Sequence, residues 1–414
     1  MVDESRRKVL AQVDQQEAVE LASALVRIPS FSPQETPVAD FLAGYFRQRG
    51  YDVELQEVEP GRSQIVARLR GKGGGESLML LGHMDINALA RNWKRDPWKP
   101  QVEGGRLYGA GALNMKGGVA AIISAAEAIR RSGVRLNGDL VVACVAGETQ
   151  GGEGTVHLLR RGVRADMAVV AEPFGTDNLT TVHAGIVHLA IHTYGVTGHI
   201  STLEGTVNAV VKMTKVIGAL QQVRFTCQPY KALPALPRLQ VGSVIGGRGE
   251  SYRLVEPPYV PDLCTIIVDV HFVPGQTVES IVEDLKRALE PLKASDPELR
   301  YEIELPPPPF FKGARRLVMT PLDVPVTEHV VQAVARSFQQ VTGRPPRNIG
   351  VTLPMSYSGN DTCHLWNAGI PCLLFGPAGG RDESGVPDEY VSIGEMVLCA
   401  KVLALTALDV CDLR

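Results

Sequence analysis

Three short apolar runs constrain the fold more than any other feature of the chain: Leu78–Leu81, Leu140–Ala146 and Met167–Ala171. Uninterrupted runs of this length suit strands buried on both faces, as in a parallel sheet. Each run is followed closely by polar residues: His83 and Asp85 after the first, Glu148 after the second, Glu172 before Pro173 after the third. Polar groups gathered at the C-terminal ends of strands are expected at the mouth of a doubly wound sheet. Between the first two runs lies Gly109-Ala-Gly-Ala-Leu-Asn-Met-Lys-Gly-Gly118, which reads as a Gly-rich turn leading into an apolar helix over about Val119–Ile129. Asn114 stands at the centre of that turn.

Apolar residues at helical spacing predict helices over Gln15–Arg27 and about Pro37–Gly50, and strands over Asp52–Glu57 and Gln64–Leu69. Trp93–Gly109 reads as a structured loop. The pattern changes near Gly185. A strand (Val187–Tyr194), a helix (about Val207–Gln222), two strands (near Arg238–Ile245 and Cys264–Phe272), a helix (Val278–Leu292) and a strand (Arg300–Leu305) follow. That is the βαββαβ order of a ferredoxin-like module. Prolines 306–309 end it, because proline fixes φ and removes a donor. A helix (about Val326–Val341), a buried strand (Ile370–Phe375) and a closing helix (Gly394–Leu408) return to the first pattern. The fold expected is α/β: a doubly wound sheet domain from residues 1–185 and 309–414, with a smaller α+β domain, 186–308, inserted.

The 414 residues carry a formal net charge of −3, which gives no electrostatic case for nucleic acid or an anionic membrane. No apolar run of membrane-spanning length stands out. Seven dispersed cysteines without CxxC spacing point to reduced thiols, and the charged N-terminus leads into an amphipathic helix rather than a signal-peptide core. A cytoplasmic protein is expected.

The polar residues have functional and plain readings. In His83-x-Asp85 the imidazole would bind a cation while the carboxylate fixes its tautomer; a hydrogen-bonded loop histidine is the alternative. Glu148 suits a general base or a solvated carboxylate, and Glu172 a metal ligand or a turn residue. His183 is a candidate to line the substrate cleft. His157, His188, His192 and His329 show no partner pattern and read as surface or strand-face residues. His271 reads as packing, with a carboxylate contact as the alternative, and Cys363 as packing rather than a nucleophile.

Ordered segments give these residues a context: Leu81-Gly-His-Met-Asp85, Asp96-Pro-Trp98, Gly105-Arg-Leu-Tyr-Gly109, Met115-Lys-Gly-Gly118, Gly147-Glu148, Ala171-Glu-Pro173, Gly198-His-Ile-Ser201, Gly369-Ile-Pro371 and Pro387-Asp-Glu-Tyr-Val391. Through them nearly the whole chain resembles the two-domain zinc peptidases and amidohydrolases that include acetylornithine deacetylase, succinyl-diaminopimelate desuccinylase, aminoacylase-1 and glutamate carboxypeptidase. The resemblance implies a zinc-peptidase-like catalytic domain and a lid domain that pairs two subunits. It implies His83 and Glu172 as ligands of a first metal, Asp85 as the carboxylate that orients His83, Glu148 as general base, and His199 as the lid histidine that polarises the scissile carbonyl. Asn114 and Asn360 join His183 as expected substrate contacts.

The departures from that family are concentrated at the second metal. Asn114 stands where the bridging Asp is expected, Thr149 where the second-metal Glu is, and Gly385 where the late His is. The lid Asp-x-Arg reads Asp269-Val-His271, and Cys363 replaces an Arg. His83, Glu172 and Asn114 remain to hold one weakly bound Zn2+ or other divalent ion, or none; Asp382 or Glu383 are candidates to replace the lost ligand, and Arg315, Arg316 and Arg381 to replace lost arginines. The function expected is an atypical amide-bond hydrolase acting on a small N-acyl or peptide-like substrate, as a homodimer. A metal-independent enzyme transforming acyl or amide groups and a non-catalytic scaffold are the alternatives.

Overall fold

The computed structural model describes residues 4–252, 258–381 and 388–412, apart from the side chain of Arg381. Contacts divide the chain into two compact units: Met1–His183 with Leu322–Ser356 and Asn360–Arg414, and Ala184–Pro321 with Tyr357–Gly359.

The first unit is built on a nine-stranded sheet. Its central strands, Leu140–Val145, Leu78–His83, Met167–Val170 and Cys372–Leu374, run parallel in that spatial order and are buried throughout. Side chains alternate between faces along a strand, so the apolar runs feed two cores. Leu78, Leu80, Val142 and Val169 pack under the helices Gly117–Ser132 and Ile393–Cys411, while Met79, Leu81, Val141 and Val170 pack with Leu158 and Leu365 on the other face. The sheet is mixed rather than wholly parallel, since Asp52–Glu59, Arg62–Leu69 and Leu322–Asp323 join antiparallel.

Ala112–Ser132 is long and apolar enough to cross a bilayer by composition, but 89% of its most apolar window is buried inside the fold. It is the central helix of the first unit's core, assembled from the turn at 112–116 and the helix that follows. Gly118 lets this helix begin against the sheet: a Cβ there would lie 2.2 Å from the Ala171 carbonyl oxygen.

Trp93–Gly109 is more than a loop. It forms the strands Gln101–Glu103 and Arg106–Tyr108, which pair with Glu389–Ser392 and Gly379–Arg381 in a small antiparallel sheet.

The second unit is a four-stranded antiparallel sheet in the order Arg238–Gly247, Leu263–Phe272, Gly185–Tyr194, Arg300–Glu304. The helices Ala209–Leu220 and Val278–Ser295 pack on it through Met213, Val216, Ile281, Leu285 and Leu289. The chain leaves this unit at Pro321, beyond the proline run at 306–309. The cause is packing: Phe311 and Ala314 sit against Ala190 and Ile267, and Met319 pairs with Ile186. All seven cysteines are free thiols.

Candidate active site

The three apolar strands deliver their polar residues to one edge of the first unit's sheet because they run parallel. His83, Asp85, Glu148 and Glu172 are 1%, 0%, 6% and 5% exposed. Ionisable groups so deeply buried require partners, and the partners define the site.

His83 Nδ1 donates to the backbone carbonyl of Asp85 at 2.9 Å. Its Nε2 lies 2.9 Å from Asn114 Oδ1 and 3.7 Å from Glu172 Oε1. The sequence suggested that the Asp85 carboxylate orients the ring; the carbonyl makes the closer contact, with the carboxylate Oδ1 3.5 Å from Nδ1. That carboxylate serves mainly the turn carrying Glu148. It accepts from the Glu148 N–H at 3.1 Å, the Thr149 N–H at 2.9 Å and the Thr149 hydroxyl at 2.6 Å. Burial opposes its charge, but His83 and the Thr149 donors win, holding Asp85 below the usual carboxylate range. Burial likewise opposes charge on His83, and Asp85, Glu172 and Glu148 outweigh it, raising the imidazole well above its ordinary value.

This geometry tests the expected metals. With Nδ1 donating to the Asp85 carbonyl, Nε2 of the neutral ring would present a lone pair to Asn114 Oδ1, also an acceptor. Two acceptors 2.9 Å apart need a proton or a metal cation between them. Donors around one tetrahedral zinc stand about 3.3 Å apart, so Nε2, Oδ1 and Oε1, with separations of 2.9 and 3.7 Å, suit one cation. Among the described residues a second cation finds no ligand set. Asn114 has no second anionic oxygen to share, and the Thr149 hydroxyl is committed to Asp85. Among the described residues no group of three or more His, Cys, Asp and Glu side chains is arranged to hold a metal. Asp382, Glu383 and Gly385 lie outside the described residues, as does the side chain of Arg381.

His183 and Asn360 meet through Thr362 in the same unit. His183 Nε2 is 2.8 Å from the Thr362 hydroxyl, which donates to Asn360 Oδ1 at 2.5 Å. With its oxygen engaged, Asn360 keeps a buried Nδ2 without a partner. Beside it Asp361 is wholly buried with neither carboxyl oxygen hydrogen-bonded, and burial with the charge of Glu148 raises its pKa well above the ordinary value. Cys363 is buried. His364 Nε2 donates to the Gly151 carbonyl at 2.8 Å.

His199 belongs to the second unit and is exposed. Its Nδ1 accepts from the Ser201 N–H at 3.2 Å and lies 2.7 Å from the Ser201 hydroxyl, leaving Nε2 to carry the ring proton. Two histidines that show no partner pattern in the sequence lie on the strand Gly185–Tyr194 and have partners in this unit. His192 bridges the Thr265 hydroxyl and Glu304, while His188 accepts from the Arg315 N–H and lies 3.4 Å from Asp269. Both contacts cross between strands or come from distant chain, which local spacing does not reveal. His271 makes the carboxylate contact, 3.2 Å from Asp269, and also bonds the Tyr357 carbonyl.

Several supports went unread. Lys116 is 1% exposed and donates to the carbonyls of Leu25 and Ile28 at the end of the helix Gln15–Val26, tying down the Asn114 turn. Burial pulls its pKa down to about 7, with the charge of Glu389 opposing the shift. Glu389 accepts from the Gly111 N–H, and Asp388 from the Lys94 and Arg95 N–H groups.

The description Peptidase family M20/M25/M40 matches residues 79–409. The N-formyl-4-amino-5-aminomethyl-2-methylpyrimidine deformylase of Bacillus subtilis (strain 168) is 28% identical, over 94% of this chain and 93% of the deformylase. The acetylornithine deacetylase of Edwardsiella ictaluri (strain 93-146) is 28% identical, over 90% of this chain and 92% of that one. Human carnosine dipeptidase 1 shares the fold, with a TM-score of 0.75 at 17% identity over 100% of both chains. A tripeptidase from Staphylococcus aureus does so with a TM-score of 0.71 at 19% identity, over 97% of this chain and 99% of the other.

Proposed function

The chain belongs to peptidase family M20/M25/M40 and is a hydrolase, and from that premise we propose that it cleaves the amide bond of a small N-acyl amine or peptide-like substrate with Glu148 as general base. The observation that supports this reading most is the turn at 147–149. Buried Asp85 grips its N–H groups and holds Glu148 at the sheet edge beside His83.

Glu148 takes the proton of the attacking water and passes it to the departing amine, a role worth about 10²–10⁴-fold in rate. His199, with its proton on the exposed Nε2, suits donation to the developing oxyanion. Asn360 offers its Nδ2 to the substrate. His83, Asn114 and Glu172 would hold a single divalent ion, which supplies Lewis-acid polarisation of the carbonyl when bound. An amide donor in place of a carboxylate makes this a weak zinc site. The substrate class follows the relatives, a deformylase and deacetylases, and so favours a small acyl group.

A second reading, metal-independent transformation of an acyl or amide group, is favoured by the His83–Asn114 hydrogen bond, which closes the site around a proton. One experiment separates the two. The purified protein is assayed for bound metal, then for amine release from N-formyl amines, N-acetyl amino acids and dipeptides, with added zinc and with chelator. At most one zinc per chain, easily stripped, with turnover lost on chelation is expected. Two tightly retained zinc ions, or no amine released from any compound, would overturn the proposal; full activity in chelator transfers it to the second reading.

Assembly as a homodimer through the second unit is the pairing we favour. The edge strand Arg238–Gly247 exposes Val244 by 60%, and the helix Ala209–Leu220 exposes Val211 by 53%. An unpaired edge beside exposed apolar residues is a template for a second copy. Sedimentation should give a dimer that V211E/V244E converts to monomer; a wild-type monomer at micromolar concentration rules the pairing out.

A further inference from the structure

Glu35 occupies a position where its type is out of place. It is the N-cap residue of the helix Thr36–Arg47, yet its side chain makes no capping bond. It is instead wholly buried and directed into the unit. Arg62, itself 2% exposed, forks onto it: Nε reaches Oε2 at 2.9 Å and Nη2 reaches Oε1 at 2.7 Å. A buried ion pair is no better for stability than apolar packing of the same volume, so what the pair holds matters more than its strength.

It holds the turn of the general base. The Gly147 N–H donates to Glu35 Oε1 at 3.1 Å, next to the two N–H groups that Asp85 accepts. Three successive backbone donors, 147, 148 and 149, thus end on two buried carboxylates. Arg62 also grips the far side of the same turn, donating through Nη1 to Glu153 Oε2 at 2.7 Å. Gly147 has φ +69°, and a Cβ there would stand 2.5 Å from Arg62 Nη2, so the guanidinium lies directly against the turn.

The two carboxylates are also joined to each other. The Ser32 hydroxyl lies 3.2 Å from Glu35 Oε1, 3.1 Å from Asp85 Oδ2 and 3.0 Å from the Thr149 hydroxyl. The Thr149 hydroxyl spends its proton on Asp85, the shortest of these bonds, so the single Ser32 proton goes to one of Glu35, Asp85 and Thr149 at a time. Ser32 thus sits between the two carboxylates from which the backbone of Gly147, Glu148 and Thr149 hangs. Thr149, where the family places a metal ligand, is here a donor to Asp85.

We infer that Glu35 is a positioning residue for Glu148: clamped by Arg62, its carboxylate fixes the Gly147 N–H beside the Glu148 and Thr149 N–H groups that Asp85 holds, with the Ser32 hydroxyl set between the two carboxylates. This rests on Glu148 being the base, and the test keeps the two claims apart.

Kinetics of wild type, E35Q, S32A, E148Q and E35Q/E148Q are measured on the N-acyl compound turned over fastest, with hydrogen exchange across residues 144–153 followed by mass spectrometry. E35Q should lower kcat by about 10- to 100-fold with KM within about twofold, since misplacing a catalytic group by about 1 Å costs on this order. S32A, which removes the hydroxyl between the two carboxylates but spares the ion pair, should lose a smaller factor in kcat. E35Q should cost nothing further in E148Q, because it acts only through that side chain. Exchange at 147–149 should accelerate in E35Q and S32A. Wild-type kcat in both variants, or an equal E35Q loss with and without Glu148, overturns the proposal. If E148Q itself keeps full turnover, the reading of Glu148 fails. Exchange then decides the clamp alone: unchanged protection in S32A and E35Q overturns it, as does unchanged protection in S32A should E35Q not fold.

Discussion

Replacing Glu148 by Gln will lower kcat by about 10²–10⁴-fold and leave the thermal transition within about 1 °C of wild type. The shape is retained, and the backbone N–H that Asp85 accepts is untouched. The carboxylate is lost, and with it the capacity to take a proton and the charge felt by His83 and Asp361. The loss should fall in kcat rather than KM, because the transferred proton belongs to the transition state. Steady-state assays with the panel above, alongside calorimetry, read both quantities. Undiminished turnover would remove Glu148 from the mechanism, and a large fall in melting temperature would recast it as structural.

Arg62→Met should be the most destabilising single replacement near the site, by about 3–5 kcal/mol. The guanidinium is 3% exposed and supplies Glu35, Glu153 and, at 3.5 Å, Glu59. Without it Glu35 is a buried carboxylate lacking its counter-ion. Burial already raises the Glu35 pKa; Arg62 opposes that, and the charge of Asp85 adds to it. In the variant the carboxyl therefore rises further above its unfolded value of about 4.3. The folded state then binds the proton more tightly than the unfolded one, so stability falls as pH climbs from about 4.3 through the folded pKa. R62M should be closer to wild type at pH 5 than at pH 8. E35M/R62M, which removes both charges, should recover most of the loss. Urea unfolding at the two pH values measures all three. A loss under about 1 kcal/mol at pH 8 would contradict the account of a clamped, desolvated carboxylate.

The strands that carry His83, Glu148 and Glu172 were legible because a strand buried on both faces must be apolar without interruption. The strand Asn178–His183 was not. Its sequence, Asn-Leu-Thr-Thr-Val-His, is two-thirds polar, and it is accommodated by contacts such as Thr180 to Thr352 that the sequence does not announce. The strands at 101–108 are too short to show alternation, and they exist because Glu389–Ser392 arrives to pair with them. The departures at Asn114 and Thr149 follow from the family resemblance, but what Thr149 does instead could not be read there. Glu35 was invisible for the same reason: Arg62 and Gly147 lie 27 and 112 residues along the chain, and a glutamate in a loop before a helix attracts no notice.

The Thr149–Asp85 bond also limits what a change at Asn114 can do. Were Asn114 replaced by Asp, position 149 would still carry a hydroxyl on which Asp85 depends. A Glu at 149 would bring an anionic oxygen, yet it would strip a donor from Asp85 and set a second charge beside a buried carboxylate. Position 149 is thus tied into the scaffold: the hydroxyl that keeps Asp85 satisfied is also what keeps a carboxylate out.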